Sequence, residues 1–386
     1  MASLILSTAC RPLRGFALIV VGLALYGLGA APTPAAWAQL TEEAQLLTAA
    51  VEQIRDHGLA VPRSSRKIAE DLLRAYAHSL DDYSDYLTAR EYAAFLESTS
   101  SDYFGVEMDM QQRDGTLRLY PFKRGLAEKS GIAPGDELVA VNGSPVYGKS
   151  VYVVGAMIRG AEGATVQLTI RTGQAIPRSL TLRRQRAHYQ SVVWKAAGAG
   201  HFIQITRFAK DTAAQLRRIL EGGGNDGRPI LLDLRGNQGG SLISARECAE
   251  LFVRPGTVLF QLRDRDTTQK IEAEQPQLAA GRLTLLQDND TASAAEAFIA
   301  ALTADKRALS VGAATYGKGL AQRFLPLPDG SALLLTYAEI LTPEGVAFHQ
   351  RGLAPGLRLP EELARQDFSK ESSITALFDF ITTNQD

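Results

Sequence analysis

The chain has 386 residues, 45% of them hydrophobic, which is enough for two or three domains with cores of their own. Lysine and arginine number 41 against 42 aspartate and glutamate, so the formal net charge is −1. Because no dense basic patch occurs, the composition excludes a nucleic-acid-binding protein that depends on a basic surface.

The N-terminal segment has the three parts of a secretory signal peptide. Arg11 and Arg14 precede an apolar run at residues 15–30, and Ala-Trp-Ala at residues 36–38 supplies a cleavage site. We therefore expect residues 1–38 to direct export and then to be removed. The alternative of an uncleaved anchor that keeps the protein at the membrane stays open, although the run is short for a membrane-spanning helix.

The two cysteines are Cys10 and Cys248. Signal cleavage removes Cys10, so no disulfide can form within the mature chain. Cys10 precedes the apolar run and is therefore not placed for lipid attachment. We expect the hydrophobic cores alone to hold the fold together.

Residues 39–98 are predicted to be helical. Thr41 is placed to cap a first helix, and Ser64 or its neighbour is placed to cap a second. Thr88, with Glu91 three residues later, predicts a capping box at the start of a third helix.

From residue 99 to residue 185 the pattern changes to short strands separated by turns, which predicts a small β module. The predicted strands are residues 105–110, 117–121, 137–141 and 165–171. One short helix is predicted over residues 149–159.

Strands and helices alternate from residue 186 onwards, which predicts a parallel sheet covered by helices. The predicted strands of this sheet include residues 202–206, 229–234, 283–286 and 308–311. An Asp-Gly turn at residues 329–330 adds an antiparallel hairpin. The predicted fold class is therefore a multidomain α/β protein with an N-terminal helical segment, a β domain and a helix-covered mixed sheet.

Two turns follow buried strands of the predicted sheet, and α/β proteins place their sites at such turns. One is Leu-Arg-Gly-Asn-Gln-Gly-Gly at residues 234–240, and the other places Ser293 at the start of a helix. Free N–H groups at a helix start favour negative charge, so Ala294 is a candidate oxyanion donor. A second donor can come from Gly239 or Gly240, since glycine lets the backbone approach closely. The alternative is that Ser293 only caps its helix.

A serine nucleophile needs a base, and Lys318 follows Ser293 between two glycines with no histidine nearby. To act as a base, Lys318 must be neutral, so its pKa must fall from about 10.4 towards 7. Burial can achieve this, and residues 313–319 are small and carry no carboxylate. Gln322 is placed to hold the lysine amine by a hydrogen bond. Ser293 and Lys318 are therefore a candidate Ser/Lys dyad, with a surface lysine and an ordinary polar strand residue as the alternatives for Lys318 and Gln322.

Several motifs in one order together resemble those of the carboxy-terminal processing (tail-specific) serine proteases, which carry an embedded PDZ domain. The similar stretches are an aromatic turn at residues 82–87, Gly-Ile-Ala-Pro-Gly-Asp at 131–136, Val-Asn-Gly at 141–143, the glycine turn at 234–240, Ser-Ala-Ala-Glu at 293–296, the lysine loop at 315–322 and a closing segment at 349–355. The resemblance covers nearly the whole mature chain.

The resemblance implies a crotonase/ClpP-like peptidase core with Ser293, Lys318 and Gln322 as its catalytic group. It also implies a PDZ domain whose loop holds the terminal carboxylate of a substrate. The loop residues in this chain are Tyr103, Phe104, Gly105 and Val106. Arg159, at the end of the PDZ helix, matches an arginine that the family has at the boundary between the PDZ domain and the core, and it is a candidate regulatory residue.

The resemblance also implies the organisation and the partners. The expected regions are a signal peptide (1–38), an N-terminal helical region (39–98), a PDZ domain (99–185) and a peptidase core with C-terminal strands and helix (186–386). We expect unstructured protein C-termini as substrates, a periplasmic location, and a role in processing or degrading envelope proteins. An adaptor lipoprotein and a homo-oligomer are further partners that stay open. No nucleic acid or cofactor is expected, and no metal, because the five histidines show no metal-ligand spacing.

The chain departs from the family pattern at a few positions. Tyr83 stands where the family usually has proline, Ala295 where a second serine is common, Gln238 in place of a frequent proline and Gly356 in place of an acidic residue. None of these removes a catalytic group. Glu107 follows the carboxylate-holding loop, and we expect its charge to weaken tail recognition unless it points to solvent.

Other interpretations of the chain compete with this one. Residues 143–150 fit the phosphate-binding pattern G-x-x-x-x-G-K-S, but a proline within them removes an N–H and they lie inside the β module. Residues 64–67 fit the S-x-x-K of penicillin-recognising enzymes, but the accompanying motifs are missing. The main alternative is a non-catalytic PDZ-containing scaffold that binds peptides in the periplasm, against which the three catalytic candidates together argue.

Overall fold

The computed structural model describes residues 41–59, 64–98, 102–113, 115–122, 125–188, 191–198, 200–304, 306–368 and 370–384. The predicted signal peptide lies outside these residues. In the part of the chain so described, no helix is both long and apolar enough to cross a membrane. The chain divides into two compact units with the boundary between Ala69 and Glu70. The domain boundaries expected at residues 98 and 185 both fall within the second unit and stay predictions.

The first unit contains helix α1 (Glu42–His57) and the start of helix α2 (Ser65–Leu80). Thr41 Oγ1 accepts a hydrogen bond at 3.3 Å from an N–H in the first turn of α1. Ser64 Oγ accepts one at 3.2 Å from an N–H in the first turn of α2. Both predicted caps are confirmed, and the second accounts for the serine of the S-x-x-K pattern.

The second unit contains the remaining helices, which are α3 (Ala89–Ser98), α4 (Leu126–Lys129), α5 (Val151–Ile158), α6 (Thr212–Ile219), α7 (Leu242–Glu250), α8 (Ala294–Ala304), α9 (Glu361–Ala364) and α10 (Glu371–Thr383). A π-helical turn, Leu220–Gly224, directly follows α6. The strands are β1 (Asp85–Leu87), β2 (Asp102–Gly105), β3 (Met108–Arg113), β4 (Thr116–Pro121), β5 (Asp136–Val141), β6 (Ser144–Pro145), β7 (Thr165–Arg171), β8 (Arg178–Arg183), β9 (Gln185–His188), β10 (Val192–Ala197), β11 (Gly200–Ile205), β12 (Ile230–Asp233), β13 (Val258–Arg263), β14 (Thr268–Glu272), β15 (Leu283–Gln287), β16 (Leu309–Gly312), β17 (Leu320–Pro326), β18 (Ala332–Leu341) and β19 (Leu357–Arg358).

The predicted β module is an antiparallel sheet in the order β3-β4-β5-β7-β8, with β6 paired to β5. Alternate side chains of β7 are buried, namely Val166, Leu168 and Ile170, as expected for a strand with one face on a core. Val154 of α5 joins the same core. Ser150, which completes the phosphate-binding pattern, caps α5 by accepting a hydrogen bond from an N–H of its first turn. The pattern is therefore part of a helix start inside the β module.

The strand predicted over residues 105–110 is wrong in its extent. β2 ends at Gly105 and β3 begins at Met108, and between them Glu107 has a φ of 57°. A positive φ is uncommon for a residue with a side chain, so the sequence carries little sign of this break. As a result β2 pairs with β9, while β3 starts the module's own sheet.

The predicted parallel sheet is confirmed, in the order β10-β11-β12-β15-β16-β19. Neighbours from β11 to β19 run parallel, and β10 is antiparallel at the edge. Every residue of β12 and β15 is buried, as expected for parallel strands covered on both faces. Leu232 packs in the cluster that contains Phe298 of α8, whereas Leu231 packs with Ile374 of α10. The α/β fold class is therefore confirmed.

A third sheet has the order β1-β18-β13-β14, with β17 paired along β18. β17 and β18 confirm the predicted hairpin, whereas β13 and β14 were not predicted. β1 pairs with β18 so that Asp85 lies opposite Leu334. This pairing brings the aromatic turn at residues 82–87 to the hairpin that follows Lys318.

Candidate active site

Ser293 lies in the turn that joins β15 to α8, and its backbone φ is 59°. Its N–H donates to Glu296 Oε2 at 2.8 Å, but among the described residues no N–H donates to its Oγ. A serine that merely caps a helix accepts such a bond through its side chain, so the structure does not support that alternative. A left-handed backbone at a residue with a side chain is strained, and such strain concentrates at functional sites.

Gly239 packs directly against this serine. A Cβ added to Gly239 would lie 2.9 Å from Ser293 Cβ, 2.9 Å from the Ala294 nitrogen and 2.8 Å from the Ala292 oxygen. Its φ of 94° is also in the left-handed region that favours glycine. The structure thus brings the predicted glycine turn to the predicted nucleophile.

The predicted oxyanion donors differ in their availability. Within the described residues, the N–H groups of Ala294 and Gly240 have no hydrogen-bond acceptor, whereas the N–H of Gly239 donates to Asn237 Oδ1 at 2.8 Å. Asn237 is buried, and its Nδ2 donates to the Ile205 oxygen at 2.8 Å. Ala294 is therefore ready to stabilise an oxyanion, and Gly239 can do so only if its bond to Asn237 opens. Sequence reasoning gave Asn237 no role.

Lys318 lies in the loop between β16 and β17 and is partly buried. Its Nζ lies over the ring of Tyr83, 4.4 Å from the ring centroid. Burial lowers the pKa of Lys318 to about 8, while the negative charges of Asp81 and Glu296 act in the opposite direction. At pH 7 about one molecule in ten then carries a neutral amine. This is the direction that a lysine base requires.

Glu296 connects the serine turn and the lysine loop. Its Oε2 accepts hydrogen bonds from the N–H groups of Ser293 and Lys318, at 2.8 Å each. Its Oε1 accepts from Thr315 Oγ1 at 2.5 Å and from the N–H of Gly317 at 2.7 Å. Burial raises the pKa of this carboxyl, although its hydrogen bonds to Thr315, Lys318, Ser293 and Gly317 oppose the rise. One buried carboxylate therefore fixes both loops.

Glu296 belongs to the Ser-Ala-Ala-Glu stretch at residues 293–296, but no role was predicted for it. Its position three residues after Ser293 has the spacing of a capping-box glutamate, which is the local signal that could have identified it. The absence of carboxylates from residues 313–319 also failed to predict the charges near the Lys318 amine. Glu296 and Asp81 reach Lys318 from distant parts of the chain, so local composition did not describe the charge around the amine.

The predicted hydrogen bond from Gln322 to the lysine amine is not present among the described residues. Gln322 lies opposite Thr336 in the hairpin, and its Nε2 donates to Thr336 Oγ1 at 3.1 Å. Thr336 Oγ1 in turn donates to Asp81 Oδ1 at 3.0 Å. Within the described residues, Gln322 is therefore linked to Lys318 through Thr336 and Asp81, and the charge of Asp81 acts on the amine.

The backbone N–H groups of the predicted nucleophile and base share Glu296 Oε2 as their acceptor. Across the described residues, no hydrogen bond joins Ser293 Oγ to Lys318 Nζ. The amine rests on Tyr83, whose phenol has its pKa raised by burial and by the nearby Tyr316. The role of Lys318 as the base for Ser293 therefore stays a prediction.

A second site is a shallow, open cleft between β3 and α5. Its lining residues are Gly105, Val106, Glu107, Met108, Met110, Gly155, Ile158 and Arg159. The cleft thus contains two of the four predicted loop residues. Tyr103 and Phe104 lie in β2, opposite residues of β9.

Two charged residues of the cleft differ from expectation. The Glu107 carboxylate does not simply point to solvent, because its Oε2 accepts hydrogen bonds at 2.7 Å from the N–H of Leu126 and at 2.7 Å from Gln185 Nε2. Arg159 follows the last residue of α5 and lines the cleft itself. Its regulatory role stays a prediction, and its charge is suited to a terminal carboxylate.

Comparisons with known proteins address the same two regions. Residues 201–359 match the sequence model of peptidase family S41, and residues 122–172 match that of the PDZ domain. A probable CtpA-like serine protease of Staphylococcus haemolyticus is 32% identical over 303 residues, which make up 77% of this chain and 61% of that protein. Residues 201–359 are therefore similar to the peptidases of family S41.

A probable CtpA-like serine protease of Staphylococcus aureus shows the same likeness, with 32% identity over 77% of this chain and 61% of that protein. The solved photosystem II D1 C-terminal processing protease superposes with a TM-score of 0.68 at 26% identity, and the match covers 86% of this chain and 96% of that one. The chain thus spans 61% of the length of these two curated relatives. The predicted resemblance to processing proteases with a PDZ domain is confirmed.

Proposed function

We propose that this protein is an exported serine endopeptidase that recognises substrate C-termini through its PDZ domain and cleaves peptide bonds with Ser293 and Lys318. The observation that carries the proposal is the double hydrogen bond of Glu296 Oε2, which accepts from the N–H groups of Ser293 and Lys318 at 2.8 Å each. A shared acceptor keeps the two residues adjacent while leaving both side chains free to react. The lowered pKa of Lys318, about 8, supports the role of base.

In the proposed mechanism, neutral Lys318 Nζ takes the proton of Ser293 Oγ as that oxygen bonds to the scissile carbonyl carbon. The carbonyl oxygen becomes an oxyanion and accepts hydrogen bonds from the N–H groups of Ala294 and Gly240. The intermediate then collapses, the C–N bond breaks, and the Lys318 ammonium gives its proton to the departing amine. The products of this half are an acyl-enzyme on Ser293 and a free C-terminal fragment.

Water completes the cycle by the same route in reverse. Lys318 Nζ takes a proton from water as the water oxygen bonds to the acyl carbon. The Ser293–acyl bond then breaks, and the ammonium returns its proton to Ser293 Oγ. The carboxylic acid product leaves, and the enzyme regains its starting protonation state.

The PDZ cleft fits the capture of an unstructured tail. β3 carries its second edge towards α5, so an extended peptide can add to it as a strand. Met108, Met110 and Ile158 offer apolar contacts for the last side chain, and Arg159 offers a positive charge for the terminal carboxylate. Glu107 is held by Leu126 and Gln185 in the same cleft, so we expect tails with a further acidic side chain to bind poorly.

The location and the wider role are also proposals. The pattern of residues 1–38 supports export to the periplasm, with envelope proteins as substrates for processing or degradation. An adaptor lipoprotein and a homo-oligomer remain predictions.

The test uses purified mature protein and a quenched fluorescent peptide that ends in an apolar residue with a free carboxylate. We expect the wild type to cleave it, and Ser293→Ala and Lys318→Ala to lose at least about a thousandfold in kcat/KM. Ser372→Ala and Lys306→Ala, at exposed positions, are the matched controls and should retain full activity. If the wild type binds tails but cleaves none of them, the protein is a scaffold and the proposal fails.

A further inference from the structure

An ion pair joins the peptide cleft to the peptidase core. Asp109 lies in β3 between Met108 and Met110, which both line the cleft. Successive side chains of a strand point to opposite faces, so Asp109 points away from the cleft. Its Oδ1 accepts a hydrogen bond from Arg207 Nη1 at 3.1 Å. The wall of the cleft that a peptide would pair with is therefore tied to the segment after β11.

The residue after Arg207 holds the oxyanion turn. The N–H of Phe208 donates to the Gly239 oxygen at 2.8 Å, and the Phe208 oxygen accepts from the N–H of Ser241 at 2.7 Å. A Cβ on Gly240 would lie 2.3 Å from that same Phe208 oxygen. Phe208 is only 1% exposed, so this segment has little room to move alone. Because these hydrogen bonds join Phe208 to Gly239 and Ser241, a movement of the Arg207 backbone would be transmitted to the glycine turn.

Arg207 also faces the second wall of the cleft. Its charge acts on the buried hydroxyl of Tyr152 in α5, where it lowers a pKa that burial raises. Tyr152 packs against Phe324 of β17, with ring centroids 5.6 Å apart. The guanidinium therefore lies where strand β3, helix α5 and the core meet. Its side chain is 32% exposed and that of Asp109 is 29% exposed, so the pair is only partly screened by water.

We propose that the Asp109–Arg207 ion pair is a positioning device that couples occupancy of the peptide cleft to the oxyanion turn. The inference rests on the proposed function and adds to it how a bound tail reaches the catalytic group. A peptide that adds to β3 fixes that strand, and Asp109 then fixes Arg207. Arg207 in turn sets Phe208 and holds Gly239 and Gly240 against the serine. Asp109 and Arg207 touch neither the substrate nor the reacting atoms.

The kinetic test compares two peptides with the same cleavable segment, one with an apolar C-terminal tail and one without it. The ratio of their kcat/KM values measures stimulation by the tail. We expect Asp109→Asn to lower this ratio at least about fivefold while cleavage of the tail-free peptide is unchanged. The double variant Asp109→Asn with Arg207→Gln should be no worse than Arg207→Gln alone, because both changes break one contact.

The control is a second ion pair of the PDZ domain that does not reach the core. Glu137 and Arg171 pair at 2.8 Å between β5 and β7, so Glu137→Gln removes a similar contact within one sheet. This variant should keep the wild-type ratio. Tail affinity, measured in a Ser293→Ala background, should be the same with and without Asp109→Asn. If Asp109→Asn lowers the ratio of kcat/KM values only because the tail binds more weakly, the proposed coupling is wrong.

Hydrogen exchange tests the same inference without catalysis. In Ser293→Ala protein, a saturating tail peptide should slow amide exchange of residues 239–241, and Asp109→Asn should abolish that effect while the cleft stays protected. Equal protection of the turn in both proteins overturns the coupling even if the enzyme is active. Conversely, the wild type could be inactive while a tail peptide still slows amide exchange at residues 239–241 and Asp109→Asn abolishes that effect. This result would contradict the proposed function and support the coupling.

Discussion

The amine of Lys318 lies over the ring of Tyr83, with Nζ 4.4 Å from the ring centroid. The same ring meets His349 edge-on, with 6.4 Å between the ring centroids. An aromatic face attracts a cation, so the contact favours the charged form of Lys318 and opposes the burial that lowers its pKa.

Tyr83→Leu should therefore make Lys318 a better base at neutral pH. Loss of a cation–π contact worth about 1–2 kcal/mol lowers the pKa of Lys318 by about one unit. Because the neutral amine is the reactive form, kcat/KM rises with pH through this pKa, and the rise should move from near pH 8 to near pH 7. Tyr83→Phe keeps the ring and should leave the profile in place. If the pH profile of kcat/KM for Tyr83→Leu is unchanged or moves to higher pH, the Tyr83 ring does not stabilise the charged form of Lys318.

Glu296→Gln should uncouple the serine turn from the lysine loop. The carboxylate accepts four hydrogen bonds, and an amide nitrogen in place of one oxygen would face N–H donors that it cannot satisfy. We expect kcat to fall about a hundredfold through misplacement of the reacting groups. Glu247→Gln, on the exposed side of α7, is the control. Steady-state kinetics compare kcat of the two variants. Equal kcat values would show that Glu296 does not position the reacting groups.

Gly239→Ala should damage the site far more than the same change at Gly236, three residues earlier in the same turn. Its Cβ would meet Ser293, Ala292 and Ala294 within 2.9 Å, so kcat/KM should fall at least about a hundredfold and the free energy of unfolding by about 2–4 kcal/mol. Gly236 also has a positive φ, 71°, but its Cβ would meet nothing within 4 Å. Gly236→Ala should therefore lose about 1–2 kcal/mol of stability and little activity. Chemical denaturation and kinetics on both variants separate backbone strain from contact with the nucleophile.

Arg159→Ala should weaken tail capture. Arg159 lines the cleft with Gly105 and Val106, so its guanidinium can meet the terminal carboxylate of a peptide. We expect the dissociation constant of a tail peptide to rise about tenfold, with binding of the C-terminally amidated peptide unchanged. Fluorescence anisotropy on both peptides measures the difference. If both peptides weaken equally, Arg159 supports the cleft and does not read the carboxylate.

The sequence predicts those parts of the site that depend on local signals. Ser293 is marked by the start of an apolar helix after a buried strand, and Gly239 by a glycine pair after another. Lys318 is marked by the glycines on both sides of it. In each case the chemistry of a few adjacent residues decides the local structure, and parallel strands bring their carboxyl ends to the same edge of the sheet.

The parts that the sequence could not predict are contacts between distant segments. Tyr83 and Asp81 reach Lys318 only because β1 pairs with β18, and a three-residue strand carries almost no pattern of its own. Gln322 donates to Thr336 because the register of the hairpin places the two residues opposite each other. The residues of the turn alone do not predict this register. The break at Glu107 needs a positive φ without glycine, for which there is no reliable sequence signal.

Reaction with a fluorophosphonate tests whether Ser293 is a nucleophile that Lys318 activates. This reagent loses fluoride as the serine oxygen bonds to phosphorus, and mass spectrometry locates the adduct. We expect an adduct on Ser293, with a rate that rises with pH to a midpoint near 8 and that falls at least about a thousandfold in Lys318→Ala. An adduct on another residue, or an equal rate on Ser293 in Lys318→Ala, contradicts it.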